Sequence, residues 1–111
     1  MNSQLYKGNL NTIILKLLQE NKKMYGYEIT QKVKVLTQGN LNITEGALYP
    51  ALHKLESEGL LDVEVKKVDN RLRKYYSLTE AGSKETVNRL SELASFIRNM
   101  QNLVQPNTEL I

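Results

Sequence analysis

The 111 residues contain no cysteine, which excludes disulfides, thiolate metal sites and a cysteine nucleophile. Tryptophan is absent as well, and histidine occurs once, at His53. A lone histidine without a cysteine or histidine partner does not make an ordinary metal site unless several carboxylates join it; no metal or other cofactor is expected. No apolar run approaches the ~20 residues that span a bilayer. Met1 to Asn11 carry no hydrophobic signal core, so a cytoplasmic location is expected. Catalytic patterns are missing too: there is no Ser-His-Asp logic, no glycine loop to cradle phosphate and no convincing acid–base pair. The chain does not read as an enzyme.

What is present is a composition suited to one folded domain, 41% hydrophobic and 24% charged. The net charge of +3 is small but concentrated. Lys66, Lys67, Arg71, Arg73 and Lys74, set against the single acid Asp69, give the segment 66–74 a charge of +4, and the rest of the chain sums to −1. Such a focus suits a phosphate-binding element; a solvated hairpin tip made basic for solubility would look the same by charge alone.

Hydrophobic spacing supplies the elements. Leu10, Ile13, Ile14, Leu17 and Leu18 recur with helical period from Asn9 to Glu20. A second helix is predicted from about Met24, continued by Ile29, Val33 and Leu36 and ended by Gly39. Leu41 and Ile43 flank Asn42 as a very short strand would. Thr44 can cap a third helix whose buried stripe is Leu48, Leu52 and Leu55, with Gly59 at its end. Pro50 interrupts that helix chemically, yet the leucine stripe keeps its phase through it, so a continuous helix with a local bend is expected. After Gly59 the period becomes two. Leu61, Val63 and Val65 alternate with polar residues, Asp69-Asn70 supplies a turn, and Tyr76 and Leu78 share a face on the returning strand. Thr79 can cap a last helix running to about Val104, stopped by Pro106, with an apolar stripe of Val87, Leu90, Ala94, Ile97 and Val104.

Helix, helix, short strand, helix and basic hairpin is the order of a winged helix-turn-helix. The fold expected is mainly α with a small β-hairpin, extended by a long C-terminal helix. Residues 1–78 form the DNA-binding part and 79–111 a dimerisation helix and tail, in one compact unit. A winged fold also serves as a protein-interaction module, but interface cores are usually depleted of lysine. Three runs add a resemblance: Met24-Tyr25-Gly26-Tyr27-Glu28-Ile29, Thr44 to Glu56 with Leu-Tyr-Pro-Ala-Leu-His at its centre, and Arg71 to Gly82 ending Leu-Thr-Glu-Ala-Gly. The chain resembles the PadR family, the phenolic-acid-decarboxylase regulator family, in its shorter subfamily with a single C-terminal helix. That resemblance implies a dimeric transcriptional repressor bound to a pseudo-palindromic operator and often relieved by a small ligand.

On the third helix, Thr44, Glu45, Gly46, Tyr49, His53 and Lys54 lie away from the leucine stripe and are candidate DNA contacts. Gly46 permits close approach; Thr44, Tyr49 and Lys54 suit phosphates. The alternatives stay open: Tyr49 as a packing residue, Glu45 as a partner of the helix dipole, His53 as an exposed residue beside the backbone. By the resemblance, Tyr25 stands where a tyrosine can touch phosphate, although core packing is expected for at least one of Tyr25 and Tyr27. In the wing, Lys66, Lys67, Arg71, Arg73 and Lys74 are the strongest candidates; not all five need touch DNA, and for Lys74, which shares strand parity with Tyr76 and Leu78, a place flanking the wing's base is the alternative. At ~1.5 Å per residue the last helix outruns a domain of this size. Leu90, Leu93, Ala94, Phe96, Ile97, Met100, Leu103 and Val104 are its candidate dimer interface. Tyr6, Leu10, Leu93, Phe96 and Ile97 are candidate walls for a small hydrophobic effector between two copies; a fully packed interface with no guest is the alternative.

Overall fold

A computed structural model of the chain describes residues 4–105. Helix α1 is a single turn, Gln4–Lys7, and α2 spans Leu10–Glu20. Strand β1 (Met24–Tyr25) leads directly into α3 (Gly26–Leu36). Helix α4 spans Glu45–Ser57, strands β2 and β3 span Leu61–Val68 and Arg71–Leu78, and α5 runs Glu80–Val104. The architecture is the winged helix-turn-helix expected, with α2, α3 and α4 packed against a three-stranded antiparallel sheet ordered β1-β3-β2.

Helix α2 sits at the centre. Leu10, Ile14, Leu17 and Leu18 are buried as their spacing predicts, but Leu15 is fully buried too. The helix is therefore clasped from more than one side, which a single-stripe reading misses. Two local expectations are corrected. The second helix does not begin at Met24: Met24 and Tyr25 pair with Tyr76 and Tyr75 as a strand, with Met24 in the core. A two-residue strand has no periodicity to read. Conversely, Leu41-Asn42-Ile43 is not a strand. Leu41 and Ile43 are buried and Asn42 exposed, as alternation requires, but side chains rather than a ladder satisfy the backbone. The Leu41 amide donates to the Thr37 hydroxyl at 3.0 Å, and the Asn42 carbonyl accepts from the Tyr6 hydroxyl at 3.0 Å.

Helix α4 starts where Thr44 accepts from the Ala47 amide at 3.2 Å and passes unbroken through Pro50. Pro50 leaves the Gly46 carbonyl without its helical donor. Both residues are exposed, so water can satisfy that oxygen. Gly59, at φ +77, ends the helix with the paired bonds of a Schellman motif, Leu60 N–H to Leu55 O at 3.0 Å and Gly59 N–H to Glu56 O at 2.9 Å. The hairpin turns on Asp69 and Asn70, both at positive φ, the two-residue geometry that matches strand twist.

Helix α5 is capped by Thr79, whose hydroxyl accepts from the Gly82 amide at 2.9 Å. Its inward face is Gly82 and Thr86, both buried, followed by the half-buried Leu90 and Leu93. The stripe beginning at Val87 is corrected: Val87 is 59% exposed, because Gly82 and Thr86, a small and a polar residue, lie against the domain instead. Pro106 lies outside the described residues. The long axis measures 67 Å and the radius of gyration is 16.5 Å, against ~13 Å for a compact chain of this length. Helix α5 accounts for the difference. Among the described residues no helix is long and apolar enough to cross a membrane, and no group of three or more His, Asp or Glu side chains could hold a metal ion.

Candidate nucleic-acid interface

Helix α4 buries Leu48, Leu52 and Leu55 completely, which turns Glu45, Gly46, Tyr49, His53 and Lys54 outward. The hairpin rises beside this face. Between them lies an open cleft of about 360 Å³. Tyr49 and His53 line it from α4, Leu72, Arg73 and Lys74 from β3, and Tyr25 with Gly26 from the start of α3. One surface thus carries the exposed helix face, a histidine and two wing cations. Thr44 is occupied as a cap, with its hydroxyl proton left to donate.

Tyr49 is 38% exposed and its hydroxyl stands close over Gly26, where a Cβ would come within 2.7 Å of it. Tyr49 lines the cleft with its hydroxyl tip against Gly26. If that tip bonds a phosphate, Tyr49→Phe should cost roughly 1.5–3 kcal/mol of DNA affinity with an unchanged thermal midpoint. Unaltered affinity, measured by fluorescence anisotropy, would show that only the ring matters.

The wing residues divide in a way their charges do not reveal. Lys66, Lys67, Arg71 and Lys74 are exposed, whereas Arg73 is half-buried. Lys74, a candidate contact with a flanking place at the wing's base as its alternative, lines the cleft. Arg73 places its guanidinium 4.5 Å from the centre of the Tyr25 ring. Lys66 stands 5.6 Å from the centre of the Tyr75 ring and 3.8 Å from the Glu64 carboxylate. Glu64 also takes an ion pair from Lys23 at the start of the sheet. The hydrogen bond from Lys23 holds the Glu64 carboxyl below its usual range, and the Lys23 and Lys66 charges act in the same direction. Burial pushes the Tyr76 phenol up. Sequence reasoning missed Lys23, Glu64, Leu72 and Tyr75. Strand parity with Lys74 and Tyr76 would have found Leu72, but nothing local joins Lys23 to Glu64.

The assembly candidates divide as well. Phe96, Ile97, Met100, Leu103 and Val104 are exposed at 55%, 47%, 40%, 78% and 69%, and Ala94 is exposed beside them. Leu90 and Leu93 border an apolar groove of about 310 Å³ that α5 forms with α2 and α3. The candidate effector walls do not surround one space within a protomer. Leu10 is buried in the core, Tyr6 is half-buried and bonded to Asn42, and Leu93 and Phe96 edge a cleft that also holds Arg89 and Glu92.

A helix-turn-helix anchored by the buried faces of α3 and α4, with the outer face of α4 exposed and a basic hairpin on the same side, defines a winged-helix DNA-binding protein. The sequence profile of the transcriptional regulator PadR-like family matches residues 14–88. The chain belongs to that family, which is one of transcriptional regulators and not of enzymes. A transcriptional regulator of Clostridium thermocellum superimposes with a TM-score of 0.84 at 30% identity, over 95% of this chain and 99% of that one. A PadR family regulator of Eggerthella lenta gives 0.77 at 28% identity, over 94% and 88%. A transcriptional regulator of Mycobacterium tuberculosis is 40% identical over 60 residues, which are 54% of this chain and 53% of that protein.

Proposed function

We propose that this regulator acts as a homodimeric repressor on a pseudo-palindromic DNA site. The exposed face of α4 enters the major groove, which is ~12 Å wide and admits one helix. The wing lies beside it and supplies phosphate contacts. The observation that carries this reading is the cleft shared by α4 and β3, where Tyr49, His53 and Lys74 converge on one open side of the domain. A second copy would cover the projecting half of α5, whose apolar residues stay exposed among the described residues of the protomer. Residues 1–78 then serve as the reading head and 79–111 as the joint. Repression, rather than activation, is what the family resemblance implies.

The wing's part is tested by salt. Lys67 and Arg71 flank the turn and are exposed, so both are available to phosphates. With both changed to alanine, the slope of log K against log salt should fall by about 2 units, at ~0.9 for each phosphate no longer neutralised. Binding to all duplexes should weaken alike. Anisotropy titrations at stepped salt concentrations measure this, and an unchanged slope would remove the tip from the DNA-binding surface.

A further inference from the structure

Strand β1 ends at Tyr25, opposite Tyr75. From there outward the wing is only two strands, pairing Val65 with Lys74, Lys66 with Arg73, Lys67 with Leu72 and Val68 with Arg71. A two-stranded ribbon without a covered face is marginal in water, and the outer half of this one is exposed. It carries a further handicap. Lys66 and Arg73 are direct cross-strand partners, and like charges in that position repel.

The side chains answer both problems at one point. Arg73 leans inward over the Tyr25 ring, 4.5 Å from its centre. Lys66 turns to Tyr75 and Glu64. The Tyr25 and Tyr75 rings meet edge to face with centres 5.5 Å apart. Each cation thus has an aromatic face, which attracts it through the ring quadrupole. The Arg73 contact reaches from the last residue of β1 to a residue of the unsupported ribbon. Tyr25 is itself fixed, because its backbone amide donates to the Glu28 carboxylate at 3.0 Å in the first turn of α3.

We propose that Tyr25 is a wing-positioning residue: its ring, through Arg73 and Tyr75, holds the outer hairpin at the angle to α4 that DNA binding requires. The proposal rests on the DNA-binding reading above and reassigns two of its residues. Tyr25 acts through its ring and not through a hydroxyl–phosphate bond, and Arg73 serves chiefly as a buttress.

Three variants separate these roles: Tyr25→Phe, which keeps the ring and loses the hydroxyl; Tyr25→Leu, which loses the ring; and Arg73→Met, which keeps the stem and loses the cation. Each is read twice. The first reading is the heteronuclear NOE of backbone amides 66–73 in the protein without DNA. The second is anisotropy with a fluorescein-labelled mixed-sequence 30-base-pair duplex at low salt. Tyr25→Phe should match wild type in both. Tyr25→Leu and Arg73→Met should lower the NOE across 66–73 and weaken the duplex about tenfold, the effect of roughly 1.4 kcal/mol. Equal weakening by Tyr25→Phe and Tyr25→Leu would overturn the proposal in favour of a hydroxyl–phosphate bond. An unchanged NOE in both Tyr25→Leu and Arg73→Met would show that the contact holds nothing. Should the wild-type protein bind no duplex at all, the DNA reading fails, and the NOE alone still decides whether the contact orders the wing.

Discussion

Gly82→Ala should destabilise the protein by about 3 kcal/mol, at the upper end of what overpacking costs, although alanine is the better helix former by about 1 kcal/mol. A Cβ on Gly82 would sit 2.0 Å from the Leu60 carbonyl oxygen and 3.0 Å from its carbon. The obstacle is backbone and cannot rotate away. That carbonyl is also engaged, accepting from the Thr79 amide at 3.0 Å, while the Thr79 hydroxyl donates to the Gly59 carbonyl at 2.7 Å. Relieving the clash means lifting the start of α5 off the end of α4 and breaking both bonds. Behind Gly82, Thr86 is fully buried with its hydroxyl bonded to the Gly82 carbonyl at 2.7 Å, so the movement would also open the core. Urea denaturation followed by circular dichroism measures the loss, with the exposed neighbour Ser83→Ala as control. A Gly82→Ala protein as stable as wild type would show that the junction of Leu60 with the first turn of α5 yields at no cost.

The second large effect concerns assembly. Ile97→Asp should yield folded monomers that no longer hold a two-half-site duplex. Ile97 is 47% exposed in the protomer, so a carboxylate there leaves the domain's own stability nearly unchanged. In a dimer joined along α5 the same carboxylate would be buried without a partner. That costs several kcal/mol, a shift of at least a hundredfold in the dimer constant. Half-sites one helical turn apart, ~34 Å, demand two reading heads on one frame, so operator affinity falls with the dimer. Sedimentation of wild type, Ile97→Asp and the exposed control Asn99→Asp decides the matter; an Ile97→Asp protein that sediments as a dimer would place the joint elsewhere.

Periodicity made most of the fold legible. Leu48, Leu52 and Leu55 give the orientation of α4, and through it the outward face; the alternation from Leu61 gives β2; Asp69-Asn70 gives the turn. Legibility failed where structure depends on partners distant in sequence. Met24-Tyr25 reads as the start of a helix and becomes a strand because Tyr75 and Tyr76 lie alongside. Leu41-Asn42-Ile43 reads as a strand and finds no ladder. Val87 reads as an inward residue until Gly82 shows how closely α5 must approach Leu60. The charge of 66–74 marks the hairpin as a candidate phosphate-binding wing, but only its neighbours distinguish Arg73, lying on Tyr25, from the exposed Arg71. The same holds for Glu64, whose tie to Lys23 spans 41 residues.

Between the end of β3 at Leu78 and the start of α5 at Glu80 stands one residue, Thr79, and it is bonded to both Gly59 and Leu60. There is no slack at this junction. Helix α5 and the hairpin leave the end of α4 at one point, while Tyr76 in the core and the pairing with β1 hold the base of the hairpin. The hairpin arm, eight residues long, reaches roughly 26 Å at ~3.3 Å per residue. A tilt of the hairpin by about 10° would therefore sweep the basic tip through ~4–5 Å at that arm length, enough to carry a lysine from one hydrogen-bond partner to another. With one residue between them, a displacement of the first turn of α5 would meet the base of the wing with no linker to damp it.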